Sequence, residues 1–296
     1  VADFLRETEL WFYDAGCAAE HVEVADRVAP QELARFRFDS PCLRAAVLSG
    51  ASRSATKQHT FYLSDVAPAH RAGSDDATRW PTYVHVYPTE DGGVCVQYWR
   101  FYPYNTGRAV SLAGIDLELG FHGGDWEGIH VVLRPDRSPA LVRYLGHAAI
   151  DSIAWDAAPR EGSHPVVFVQ PGSHTSRHLP DGLGSRRVRQ ETWAGGIVRW
   201  PDGRVQRSAG LVNVGEKLTP LAPWLRYGGL WGSPGFNLVR LLGDASGANF
   251  SSGYWGPAYN ETGMGPDGFH VAWCAGAAHR SRAAAGVREC YAESVP

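Results

Sequence analysis

Alternating apolar and polar positions dominate the middle of the chain. Tyr83-Val84-His85-Val86-Tyr87 and Val94-Cys95-Val96-Gln97-Tyr98-Trp99-Arg100-Phe101 flank the turn Glu90-Asp91-Gly92-Gly93. That pattern predicts a β-hairpin. Further strands are expected over 128–134, 140–145, 165–170, 196–200 and 204–208, the last two joined by Pro201-Asp202-Gly203. Helix-like spacing is confined to the flanks. It covers 2–13 and 30–37, where Pro30 suits a first turn, and shorter stretches at 218–227 and 235–243. The Ser-, Ala-, Thr- and Asp-rich stretch from about 50 to 80 reads as loop, and the tail from 244 reads as ordered loop and short strand. The prediction is a mainly β chain, a single-domain β-sandwich over 1–296 with peripheral short helices and long ordered loops. Residues 1–80 form a mixed helix and loop lead-in, 81–210 the sandwich core, and 211–296 a wrapping C-terminal segment.

Composition adds limits. Eleven Trp, twelve Tyr and eleven Phe stand beside a single Met and 34 Gly, a balance typical of β architectures. A formal charge of -3 and the lack of a basic run give no electrostatic case for nucleic acid. Lys57 and Lys217 are the only lysines, an arginine bias that points to a GC-rich bacterial genome. No apolar run approaches the ~20 residues of a membrane-spanning helix. The five cysteines, Cys17, Cys42, Cys95, Cys274 and Cys290, contain no C-x-x-C pair. Cys274 and Cys290 could pair, and the odd number leaves at least one unpaired within the chain. Val1-Ala2-Asp3-Phe4-Leu5 reads as the middle of a segment already under way, so an upstream piece is expected.

The densest chemistry lies in Phe121-His122-Gly123-Gly124-Asp125-Trp126-Glu127-Gly128-Ile129-His130, with His147 twenty residues past the glutamate. Glycines 123 and 124 let the backbone bend so that His122 and Asp125 converge. From Asp125 onward an extended chain puts Asp125, Glu127, Ile129 and Val131 on one face, and Trp126, His130 and Val132 on the other. His130 is therefore expected to stand apart. Imidazole nitrogen with carboxylate oxygen and no thiolate suits a divalent ion, with Mg, Ca or Mn favoured and Zn admitted. The alternative is structural: Asp125 and Glu127 accept backbone and arginine hydrogen bonds at a turn.

A second cluster, Pro171-Gly172-Ser173-His174, follows the strand at 165–170, where binding residues often collect. His174 is a candidate general acid or base if the chain is an enzyme, and otherwise a turn-stabilising residue. The sequence there is not a G-x-S-x-G nucleophile elbow. Aromatic and glycine-rich stretches at Tyr227-Gly228-Gly229-Leu230-Trp231-Gly232 and Tyr254-Trp255-Gly256-Pro257 could stack on sugars or enter lipid headgroups, or simply pack beneath loops.

Gln97-Tyr98-Trp99-Arg100-Phe101-Tyr102-Pro103-Tyr104-Asn105, the His122-to-Glu127 segment, His147, Gly172-Ser173-His174 and Tyr227-to-Gly232 occur in that order over roughly 80–260. Together they resemble the vacuolar-protein-sorting-62-related family. More distantly, Phe121-to-Glu127 resembles the heptapeptide G-H-R-H-D-W-E of the necrosis- and ethylene-inducing peptide-like (NPP1) proteins. This chain keeps the first histidine, the aspartate, the tryptophan and the glutamate of that motif. The second resemblance implies a β-sandwich in which His122, Asp125 and Glu127 surround a divalent cation. It adds His147, and Asn105 at a position where that family has an acid, which removes one negative charge and weakens cation affinity.

These readings lead to a divalent-cation-binding protein that engages a small polar ligand, a lipid headgroup or a glycan, in a secreted toxin- or effector-like role. Peripheral membrane contact would follow from a headgroup ligand. The alternative is a metal-dependent hydrolase or biosynthetic cyclase using the same His, Asp and Glu site.

Overall fold

A computed structural model describes residues 1–14, 21–33, 36, 59–89, 91–112, 115–119, 121–145, 150–180, 189–215, 220–233 and 256–257. The mainly β architecture expected from the sequence is observed. A short helix α1 (Ala2–Arg6) precedes strands β1 (Leu10–Asp14) and β2 (His21–Ala25), then helix α2 (Pro30–Leu33) and β3 (His59–Leu63). Next come β4 (Thr82–Pro88), β5 (Val94–Asn105), β6 (Arg108–Leu112), β7 (Ile115–Leu119), β8 (His122–Leu133), β9 (Pro139–Leu145) and β10 (Ile150–Ala154). The last group is β11 (Arg160–Glu161), β12 (His164–Val169), β13 (Ser176–Arg177), β14 (Arg189–Thr192), β15 (Ile197–Arg199), β16 (Val205–Arg207) and β17 (Leu211–Asn213). The chain forms two compact units, each built from separate stretches, and β5 and β8 each have residues in both.

The second unit holds two sheets. One has the order β10-β9-β8-β5-β4-β17, with β17 parallel to β4. The other runs β11-β12-β14-β15-β16, with β13 also paired to β12. The predicted hairpin is present in register, with Tyr83 opposite Trp99 and Tyr87 opposite Cys95. Ile129 and Val142 of the first sheet and Val166, Val167 and Val198 of the second are all buried. Two polar links cross between the sheets. The Tyr144 hydroxyl donates to the Val166 carbonyl at 3.1 Å. Glu191 receives Arg189 Nε at 2.6 Å and Arg100 Nε at 3.4 Å. Burial opposes the Glu191 charge, but Arg189 and Arg100 outweigh it and hold the carboxyl below its usual range. Tyr144→Phe leaves the buried Val166 carbonyl without that donor. It should cost about 1–2 kcal/mol, read as a lower urea midpoint at unchanged m value; an unchanged midpoint would remove this link from the account.

The first unit packs around Trp231. Its ring meets Phe101 at 5.3 Å, Trp224 at 5.7 Å, Tyr227 at 5.8 Å and Phe4 at 6.2 Å between centroids. Such edge-to-face clusters combine large burial with quadrupole attraction. The sheet β2-β1-β3 and the ribbon β6-β7 complete this unit.

Several predicted boundaries change. The spacing over 2–13 is helical only to Arg6; Trp11, Phe12 and Tyr13 are aromatic strand formers and continue as β1 between β2 and β3. Of the predicted helix over 30–37, Pro30–Leu33 is helical and Phe36 is not, while 34, 35 and 37 lie outside the described residues. The expected loop over 50–80 contains β3, because His59-Thr60-Phe61-Tyr62-Leu63 pairs with β1. Among the described residues of 218–227, the helical element is a 3-10 turn, Pro223–Arg226. The stretch 235–243, nearly all of the tail from 244, and Cys17, Cys42, Cys274 and Cys290 lie outside the described residues. Cys95 is buried and forms no disulfide. Among the described residues no helix is long and apolar enough to cross a membrane.

Candidate functional site

β8 is a central strand with both faces covered, and every residue from His122 to Val131 is buried. Central strands of this kind are normally apolar runs. This one carries His122, Asp125, Glu127 and His130, so the buried polar side chains are its informative feature.

In the first unit His122 and Asp125 are each 2% exposed and Asn105 is 1% exposed. His122 Nδ1 lies 3.0 Å from the Gly123 carbonyl. A carbonyl only accepts, so Nδ1 carries the proton. Nε2 is then directed at Asp125 Oδ1, 3.9 Å away. Asn105 Nδ2 donates to Asp125 Oδ2 at 3.2 Å, while Asn105 Oδ1 accepts from the Gly107 N–H at 2.7 Å. The two bonds fix the amide orientation, and Asn105 presents hydrogen rather than oxygen to Asp125. An imidazole nitrogen and a carboxylate oxygen so placed can share a proton or a cation. An ion about 2.0–2.5 Å from each donor spans this gap, so the pair fits a divalent metal.

The bend that brings this pair together rests on contacts within the same unit. Gly124 has φ +56°, and a Cβ there would stand 2.0 Å from the Trp231 carbonyl oxygen. A Cβ at Gly232 would meet the Gly123 carbonyl oxygen at 2.5 Å. The glycines of the two sequence motifs therefore lie backbone against backbone. Asp65 locks them: Oδ1 accepts from the Gly123 N–H at 3.1 Å and the Ser233 N–H at 3.2 Å, and Oδ2 accepts from the Ser233 hydroxyl at 3.1 Å. Neither Asp65 nor Ser233 is visible as a site residue in the sequence. Asp65 sits in a stretch read as loop, 58 residues from its partner, and no local spacing marks the pair.

Glu127 follows Asp125 by two residues on β8 and is 5% exposed. His130 lies on the opposite face of the strand from Glu127, as alternation predicts. There Gln97 Nε2 donates to His130 Nε2 at 2.8 Å, and His85 Nδ1 donates to Gln97 Oε1 at 2.9 Å. Burial first, then Arg143 and His85, lower the His130 pKa to about 3, so this histidine is neutral and tied into a polar row. His174 is half-buried in the β12–β13 connection with φ +54°, and its N–H donates to the Gln170 carbonyl at 3.0 Å. His147 lies outside the described residues. Among the described residues no group of three or more His, Cys, Asp and Glu is arranged to hold a metal.

No family model matches the chain, and no curated protein matches it. Two solved structures are similar to part of it, both of NLPPya, an NPP1-like protein. The complex with mannosamine has a TM-score of 0.31 at 14% identity, over 48% of this chain and 54% of that one. The complex with glucosamine has a TM-score of 0.28 at 13% identity, over 48% of this chain and 58% of the other. The chain thus spans little more than half the length of either neighbour.

Proposed function

We propose that this chain binds a divalent cation at His122 and Asp125 and uses the cation to engage a polar ligand of the glycan or lipid-headgroup class. The observation that carries the reading is the aim of His122. A ring whose Nδ1–H is committed to the Gly123 carbonyl turns its other nitrogen toward Asp125 Oδ1 at 3.9 Å. Metal-binding histidines are typically oriented this way, by a carbonyl on the far nitrogen. Mg, Ca or Mn suits the mixed nitrogen and oxygen set better than a thiophilic metal. Asn105 serves as the residue that orients Asp125. A secreted, toxin- or effector-like protein is the setting in which such a site would act.

The test uses Mn2+ titration by calorimetry, followed by binding of mannosamine, glucosamine and sphingolipid-containing vesicles with and without EDTA. Mn2+ should bind, Asp125→Ala should weaken it at least about 100-fold, and EDTA should abolish ligand binding. Ligand binding indifferent to chelator overturns the proposal.

A further inference from the structure

We infer that Asp65 is the positioning residue of the site: by holding the Gly123 backbone it selects the tautomer of His122 and aims Nε2 at Asp125. The chain of contacts is short. The Asp65 carboxylate takes the Gly123 N–H, and the Gly123 carbonyl takes the Nδ1–H of His122. The Ser233 N–H and hydroxyl hold the same carboxylate from the other side. Gly123 has no room to shift. A Cβ on it would already stand 2.4 Å from Asp65 Oδ1 and 3.3 Å from the Gly232 Cα.

This clamp works against a local preference. Asp125 Oδ1 on its own favours a proton on His122 Nε2, since a carboxylate accepts hydrogen bonds and cannot donate one when ionised. A fixed Gly123 carbonyl on the opposite side reverses the choice and leaves the Nε2 lone pair directed at the carboxylate. A lone pair facing a carboxylate is poor for a hydrogen bond and right for a cation shared by both. Asp65 thereby converts a pair that would close on itself into a pair ready to receive an ion. Its purpose rests on the cation reading above, but its effect on the tautomer does not.

The test is run on metal-free protein at pH 8 by 15N NMR of the histidine rings. His122 should show a protonated Nδ1 and an unprotonated Nε2 in the wild type. Asp65→Ala, which removes both acceptor oxygens, should move the proton to Nε2. In the same variant Mn2+ affinity should fall about 10–100-fold, the range for groups that orient a metal ligand. Ser233→Ala leaves the Gly123 bond in place and should retain the wild-type tautomer. A folded Asp65→Ala protein with unchanged His122 tautomer overturns the inference. Should that variant not fold, the wild type alone decides: a protonated Nε2 and unprotonated Nδ1, or no scalar coupling across the Gly123 N–H to Asp65 hydrogen bond, overturns it equally. Wild-type protein that takes up no Mn2+ overturns the cation reading and leaves the tautomer result to decide the role of Asp65.

Discussion

Gly124→Ala is expected to destabilise the protein by about 2–5 kcal/mol. Two costs add. An L-residue in the left-handed region, where Gly124 sits at φ +56°, costs about 1–2 kcal/mol. The methyl group would then stand 2.0 Å from the Trp231 carbonyl oxygen and 2.4 Å from the Trp231 Cβ. Overpacking of that kind costs a further 1–3 kcal/mol, and here the obstruction is largely backbone, which no rotamer change relieves. Trp231 is also the ring on which Phe101, Trp224 and Tyr227 converge, so displacing it disturbs the packing of the whole unit. Gly162→Ala is the control. Gly162 has φ +60°, and a methyl group added there would meet nothing within 4 Å, so it carries the conformational cost alone, about 1–2 kcal/mol. Urea melts of both variants measure the difference. Equal losses would show that the approach to Trp231 does not constrain the motif.

The same residues show what sequence reading can and cannot reach. Periodicity locates the hairpin of β4 and β5, the extended run after Asp125 and the separate face of His130, because strand alternation is a local rule. The glycines at 123 and 124 are legible as a bend. Their tighter reason, the approach of Trp231 and Gly232 more than a hundred residues later, is not. Asp65 is invisible for the same reason: a carboxylate that accepts from two distant backbone amides needs no particular neighbour in sequence. In the lead-in, the apolar spacing of 2–13 fits a helix, but the aromatic residues 11–13 gain more from pairing between β2 and β3. Tertiary partners override the local pattern there.

Asn105 limits how strongly the site should depend on the proposed ion. An acid at that position would bring a second negative charge to Asp125 and require a cation between them. The Asn105 amide instead donates to Asp125 Oδ2, which stabilises the carboxylate with or without an ion. Cation affinity should therefore be modest, and folding of the first unit should survive chelation. These are the properties expected if the proposed ion acts at the ligand rather than in structure.

Acidification should destabilise the second unit through His130, and this is the other large effect expected. The side chain is 1% exposed and accepts from Gln97, and its pKa is lowered from 6.5 to about 3, first by burial and then by Arg143 and His85. With a depressed folded-state pKa, the unfolded chain binds the extra proton between about pH 6.5 and pH 3. Stability from the neutral ring is therefore complete above pH 6.5 and is lost as pH falls through that window. One proton corresponds to about 1.4 kcal/mol per pH unit, or about 5 kcal/mol over the whole window as an order-of-magnitude limit. His130→Asn keeps an acceptor for the Gln97 amide and removes the titration. It should be less stable than the wild type at pH 7, since a well-packed ring is replaced by a smaller group. Its stability should fall less steeply between about pH 6.5 and pH 4, by about one proton's worth of slope. Urea denaturation at half-unit pH intervals measures both slopes. Parallel curves for the two proteins would remove His130 as the source of acid sensitivity. A shallower variant curve would identify His130 as a place where the interior fails to tolerate a proton.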